Sequence, residues 1–174
     1  MNTDIQLVKD AIKGNDAAFL QLMQLYKIDL YKTALSFLRN EEEALEAIQE
    51  VTYRAYKSVG KIKEPSFFKT WLIRIMINYC NDQLKKNKRV ILNDELLIQQ
   101  GFTEDHSAME LKDAMLELDE KSREILTLKY FNDMKIKEIA ISMRCPEGTV
   151  KTWLNKALKA LREKLAEKGG DLRV

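Results

Sequence analysis

Apolar residues along this chain recur mainly at spacings of three and four, the period of one helix face, and strand-type alternation is scarce. Ile5, Leu7, Val8 and Ile12 predict a short first helix. Gly14-Asn15-Asp16 ends it and supplies a cap for the next. Leu22, Leu25, Tyr26, Leu30 and Ala34 form a stripe in a second helix over residues 19–37. Asn40 caps a third, and Glu41-Glu42-Glu43 in its first turn suits the positive end of the helix dipole. Its apolar side is Ala44, Ile48, Val51 and Ala55. Gly60 and Pro65 mark a loop over residues 58–65, and Ser66 is placed to cap a fourth helix running to about residue 86.

Between residues 87 and 107 the periodicity weakens, and Asn93, Gly101, Thr103 and Asp105 sit among scattered aliphatics. This predicts a linker, one that can dock on a partner through Ile91, Leu92, Leu96, Leu97 and Ile98. Leu111, Met115 and Leu118 then begin a second helical body. Ile125, Leu126 and Leu128 belong to a helix ending near Asn132-Asp133. The expected fold is therefore all-α: two small helical domains, residues 1–88 and 108–174, joined by a flexible linker at 89–107.

The C-terminal body predicts a helix-turn-helix. Residues 135–142 form one short helix, 143–145 the turn, and Pro146 the first position of a last helix, since it has no N–H to satisfy. Val150, Leu154, Leu158, Leu161 and Leu165 hold that helix on the core until Gly169-Gly170 stops it. Its other face carries Glu147, Thr149, Lys151, Thr152, Asn155, Lys156 and Lys159. Those donors and acceptors suit the major groove, and the lysines suit phosphate. An ordinary solvated helix face has the same residue types.

Composition narrows the field. The chain has 174 residues, 45% hydrophobic and 32% charged, with a net charge of only +2. That balance hides segregation: residues 41–50 carry five acids and no base, and residues 85–89 four bases and no acid. Two partners of opposite charge are implied. Cys80 and Cys145 are too far apart for a disulfide framework or metal-ligand spacing, and each has apolar neighbours, as a buried free thiol would. No signal peptide opens the chain, and the most apolar run, residues 71–77, is too short to span a bilayer. A reduced, cytoplasmic protein is expected. No Gly-rich phosphate loop or metal spacing occurs, and His106 lies in a polar stretch without triad partners. Neither catalysis nor a cofactor is expected.

In the N-terminal body the fourth helix is amphipathic. Leu72, Ile75, Met76 and Tyr79 face a core, leaving Lys69, Arg74, Asn78, Lys85 and Lys86 for other faces. With Trp71 at its start, it offers charge and flat rings, as single-stranded nucleic acid requires, although Trp71 fits a core equally well. Lys61 and Lys63 in the preceding loop can help cup an extruded base or simply be solvated. The third helix turns Glu43, Glu46, Gln49 and Glu50 outward. Such a row suits a basic protein surface, and equally a solvated face.

Three stretches together resemble the extracytoplasmic-function group of bacterial sigma factors. "EEALEAIQEVTYRAY" is similar to that family's core-polymerase-binding segment, with Glu46, Gln49 and Glu50 in matching positions. "FKTWLIRIMIN" is similar to the helix after the base-capturing loop, with Phe68, Trp71, Leu72, Arg74, Ile75 and Asn78 in place. "SREILTLKYFNDMKIKEIA" followed by "CPEGTVKTWL" resembles the promoter-reading domain. The resemblance implies a factor that binds core RNA polymerase, melts and reads the −10 element with its first domain and reads the −35 element with its last. It implies promoter DNA and an anti-sigma protein, often membrane-anchored, as further partners, with no small-molecule substrate. It places Lys151, Thr152, Asn155 and Lys156 on −35 contacts and Lys129 on a backbone contact. The chain departs from the family pattern at Ile77, where a basic residue is usual, and at Trp153, Thr52 and Leu118-Asp119. A conventional helix-turn-helix regulator with an N-terminal partner-binding domain is the alternative.

Overall fold

The computed structural model describes residues 2–91 and 106–168, and among them every regular element is helical. The helices are α1 (Asn2–Ile12), α2 (Asp16–Leu38), α3 (Glu41–Ser58), α4 (Phe68–Ile91), α5 (His106–Glu117), α6 (Glu120–Leu126), α7 (Ile136–Ser142) and α8 (Glu147–Glu167). Two caps act as the sequence predicts. The Asn15 side chain accepts from the Ala18 N–H at 3.0 Å, and the Asn40 side chain from the Glu43 N–H at 3.0 Å. Each satisfies a backbone donor that the first helical turn leaves without a partner.

Several boundaries differ. Ser66 does not cap α4. Its hydroxyl and N–H both donate to Glu64, and a 3-10 turn, Pro65–Phe67, leads into the helix. α4 continues to Ile91 rather than ending near residue 86, since the basic run of residues 85–89 sits well at the negative end of a helix dipole. α5 begins at His106. The expected docking segment, Leu92 to Ile98, lies outside the described residues, as do Gly169 and Gly170. Pro146 stands one position earlier than expected, as the N-cap of α8 with ψ 149°. Leu25, expected on the α2 core stripe, is exposed; Phe19 and Met23 are buried instead.

α2, α3 and α4 pack together with α1 laid against α2. Leu22, Leu30, Ala34, Ala44, Val51, Leu72 and Met76 fill the space between them and are fully buried. In the C-terminal body α8 lies against α5, α6 and α7. Residues 122–128, running from α6 into the wider π-turn after it (Thr127–Phe131), are buried, Arg123 and Glu124 included, while Tyr130 and Phe131 at the end of the turn are exposed. A helix buried all round has neighbours on every side: α8 on one, and α4 on another.

The cysteines separate. Burial pushes the Cys80 thiol up to about 12. Cys145, expected to be buried too, is only partly so, because it lies in the tight turn before α8. At mildly alkaline pH, maleimide is expected to label Cys145 and spare Cys80 until the protein unfolds. Equal labelling of the native chain, read by mass spectrometry, would contradict this packing.

Candidate nucleic-acid and protein interfaces

α7, a turn at residues 143–145 and α8 form the expected helix-turn-helix. The Glu138 carboxylate accepts from the Lys135 N–H at 2.8 Å and closes the start of α7. The turn is made by Arg144 in the left-handed region, φ 53°, and by the Cys145 N–H donating to the Ala140 carbonyl at 3.0 Å. Val150, Leu154 and Ala157 bury the inner side of α8. Glu147, Lys151, Thr152, Asn155, Lys156 and Lys159 are all exposed on its outer side, with Thr149 half-buried at the margin. Thr152 donates its hydroxyl to the Gly148 carbonyl at 3.0 Å. Its lone pairs remain to accept from a base amino group.

Two residues set beside that face are tied into the body. Lys129 donates to the Met134 carbonyl at 3.3 Å, so its charge is held near the turn before α7. Trp153 is half-buried beneath the Lys121 ammonium, 4.7 Å from its ring centroid. Asp119 caps α6 through Ser122. Burial opposes its ionisation, but the Ser122 hydrogen bonds and the Lys156 charge outweigh that and hold its carboxyl below the ordinary value.

The N-terminal candidates divide. Lys61 and Lys63 are exposed around the 3-10 turns. Trp71 is half-buried beside Phe68, with ring centroids 5.5 Å apart. Asn78 and Lys86 face solvent. Lys69 pairs with Asp29 at 2.9 Å and lies over Tyr26. Arg74 and Lys85 turn toward the C-terminal body, Arg74 to Glu124 at 2.9 Å and to the Ser142 carbonyl, Lys85 to Glu120 at 2.6 Å.

On α3, Glu46 and Gln49 are exposed and Glu43 and Glu50 half-exposed. Glu50 pairs with Arg54 at 2.7 Å, and Arg54 in turn lies over the Tyr79 ring. Burial, then the Glu50 and Glu46 charges, raise the Tyr79 pKa. Sequence reasoning missed Leu45 and Tyr53, which are 50% and 58% exposed on the same side. Two large apolar residues off the core stripe, beside carboxylates, were the available signal. The face thus combines carboxylates with two exposed apolar side chains, Leu45 and Tyr53.

Two stacked helical bodies, the second carrying an exposed helix-turn-helix, match the architecture of DNA-binding proteins. The sigma-70 region 2 family matches residues 22–90, and the sigma-70 region 4 family residues 108–161. The chain is 32% identical to the RNA polymerase sigma factor SigV of Bacillus subtilis, over 82% of this chain and 87% of that one. It is 28% identical to the ECF RNA polymerase sigma factor SigW of the same organism, over 92% and 95%. Among solved structures, CnrH in complex with the cytosolic domain of CnrY has the same fold, with TM-score 0.69 and 23% identity over 94% of this chain and 97% of that one. The chain belongs to the extracytoplasmic-function group of the sigma-70 family, the factors that direct RNA polymerase to promoters. That membership sets aside the conventional regulator, whose N-terminal half would not match region 2. It also makes the chain an initiation factor and not an enzyme. Among the described residues no helix is long and apolar enough to cross a membrane.

Proposed function

We propose that the three faces divide the work of initiation. Residues 1–88 form a domain that holds core polymerase through Glu43, Glu46, Gln49 and Glu50 and engages the melted −10 strand with Lys61, Lys63, Lys69, Trp71, Arg74, Asn78, Lys85 and Lys86. Residues 108–174 form a second domain whose Glu147, Thr149, Lys151, Thr152, Asn155, Lys156 and Lys159 enter the −35 major groove, with Lys129 at the backbone. Residues 89–107 link them. The carrying observation is α8, where the polar residues on its groove-reading side are exposed while Val150, Leu154 and Ala157 anchor its back. The acidic face of α3 cannot serve DNA, because carboxylates repel phosphate; a basic protein surface is its complement.

The protein acts in the cytoplasm, on a stress or envelope-response regulon, under an anti-sigma protein anchored at the membrane. An anti-sigma partner, though not its anchoring, is supported by a solved structure of similar fold: the sigma factor RpoE with the anti-sigma factor NepR from Bartonella quintana, TM-score 0.63 and 22% identity over 85% of this chain and 96% of that one. Run-off transcription with core polymerase and fragmented genomic DNA tests the whole reading. New discrete transcripts that require this protein are expected. Their absence, with the polymerase active under another sigma factor and no binding of this chain to core, would overturn it.

A further inference from the structure

Glu50 and Arg54 stand about one turn apart on α3, so both lie on one edge of that helix. α4 packs against α3 and brings Tyr79 to the same edge. Tyr79 follows Ile75 by four positions and packs with it at the margin of the core, half-exposed. Two contacts run in series from there. The Arg54 Nε donates to the Glu50 Oε1 at 2.7 Å. The Arg54 guanidinium carbon lies 5.2 Å from the Tyr79 ring centroid, over the ring. A guanidinium donates hydrogen bonds from its edge and meets rings with its face, so the two contacts are compatible. Burial raises the Tyr79 pKa first, the Glu50 and Glu46 charges raise it further, and the Arg54 charge opposes them, as a ring set among all three requires.

We propose that Tyr79 and Arg54 are positioning residues of the polymerase-binding face: the ring braces the guanidinium, and the guanidinium presents the Glu50 carboxylate to a cation on core polymerase. The inference rests on assigning the acidic face of α3 to core polymerase. Glu50 and Arg54 are 41% and 44% exposed, and an exposed pair of that kind holds its partners weakly when nothing supports it. The ring supplies the support from a second helix. The Arg54 bond engages Oε1, which leaves Oε2 to accept from the partner. Arg54 also cancels part of the Glu50 charge, so its contribution is order rather than long-range attraction. Fixing a mobile side chain on association opposes binding, and a carboxylate already held in place loses less freedom when the partner arrives. Polymerase binding thus draws on α4 as well as α3, through a residue that touches the carboxylate only by way of Arg54.

The test measures binding of the full-length protein to core polymerase at roughly 0.15 M salt. Tyr79→Leu keeps an apolar side chain against the core and removes the ring, while Tyr79→Phe keeps the ring. Tyr79→Leu is expected to weaken core binding about fivefold, the size of effect that freeing one ordered side chain implies, and Tyr79→Phe to stay close to wild type. Arg54→Gln is expected to match Tyr79→Leu. Its side chain is exposed, so it carries the test alone if the thermal midpoint shows that Tyr79→Leu disturbs the fold. Each substitution is then repeated in a Glu50→Ala background, where the loss is expected to shrink below about 1.5-fold, because the group being positioned is gone. No loss from either substitution overturns the proposal. So does an undiminished loss in the Glu50→Ala background, which would mean that Tyr79 and Arg54 meet polymerase directly or act through the fold. Failure of the underlying reading looks different: Glu50→Ala by itself, and Glu46→Lys with Glu50→Lys, would then leave core binding unchanged, removing the face and the brace together.

Discussion

Lys151→Ala with Lys156→Ala is expected to weaken binding of the polymerase holoenzyme to −35 duplex by about 30- to 100-fold while leaving its affinity for core polymerase unchanged. Each lost base or phosphate contact at such a site is worth about 1–3 kcal/mol. Both side chains are exposed on the outer face of α8, so their removal opens no cavity and the fold survives. If both meet phosphate, the slope of log affinity against log salt falls by about 2. If one meets a guanine edge, the slope falls by about 1 and base preference at that position relaxes. Equal loss of core binding and −35 binding would mean that the substitutions disturb the whole body.

Glu46→Lys with Glu50→Lys is expected to weaken binding to core polymerase by at least about tenfold at roughly 0.15 M salt, a regime in which charges farther apart than ~8 Å are largely screened. The change reverses two charges in the middle of the α3 face. It also costs the Glu50–Arg54 pair, whose side chains are 41% and 44% exposed. An exposed pair of this kind is worth about 0–1 kcal/mol, too little to unfold the chain. A thermal midpoint close to wild type would confirm that the loss belongs to the interface. Leu45 and Tyr53 sit on the same face, so charge reversal acts beside the apolar anchors that such interfaces rely on. Unchanged affinity for core would place the polymerase contact elsewhere.

Much of this molecule was legible in one dimension because its signals are local. Asn15 and Asn40 cap helices by reaching backbone groups three residues on, and such contacts need only the sequence around them. The 3.6-residue period likewise reported the inner side of α8, and with it the face left exposed. The acidic row on α3 was visible as composition. The boundaries that slipped at Ser66 and Pro146 are helix ends, which fray and are set only to within a residue or two.

What the linear pattern could not report is which polar side of α4 meets another body. Periodicity divides a helix surface into apolar and polar; it does not say that a polar side will be covered. Thr70, Arg74 and Asn81 have the types of a solvated strip, and their partners Met134, Glu124 and Arg123 lie 42 to 64 positions away. The same holds for α6, where Arg123 and Glu124 are each only 7% exposed although charged residues are rarely buried. Burial of those groups is tolerable only because each finds a partner in the other body or in its own. The sequence by itself determined the helices, the helix-turn-helix and the segregation of charge. Tertiary structure alone decided that two bodies close on α4, because that depends on complementary groups meeting across space, and no local spacing encodes such a meeting.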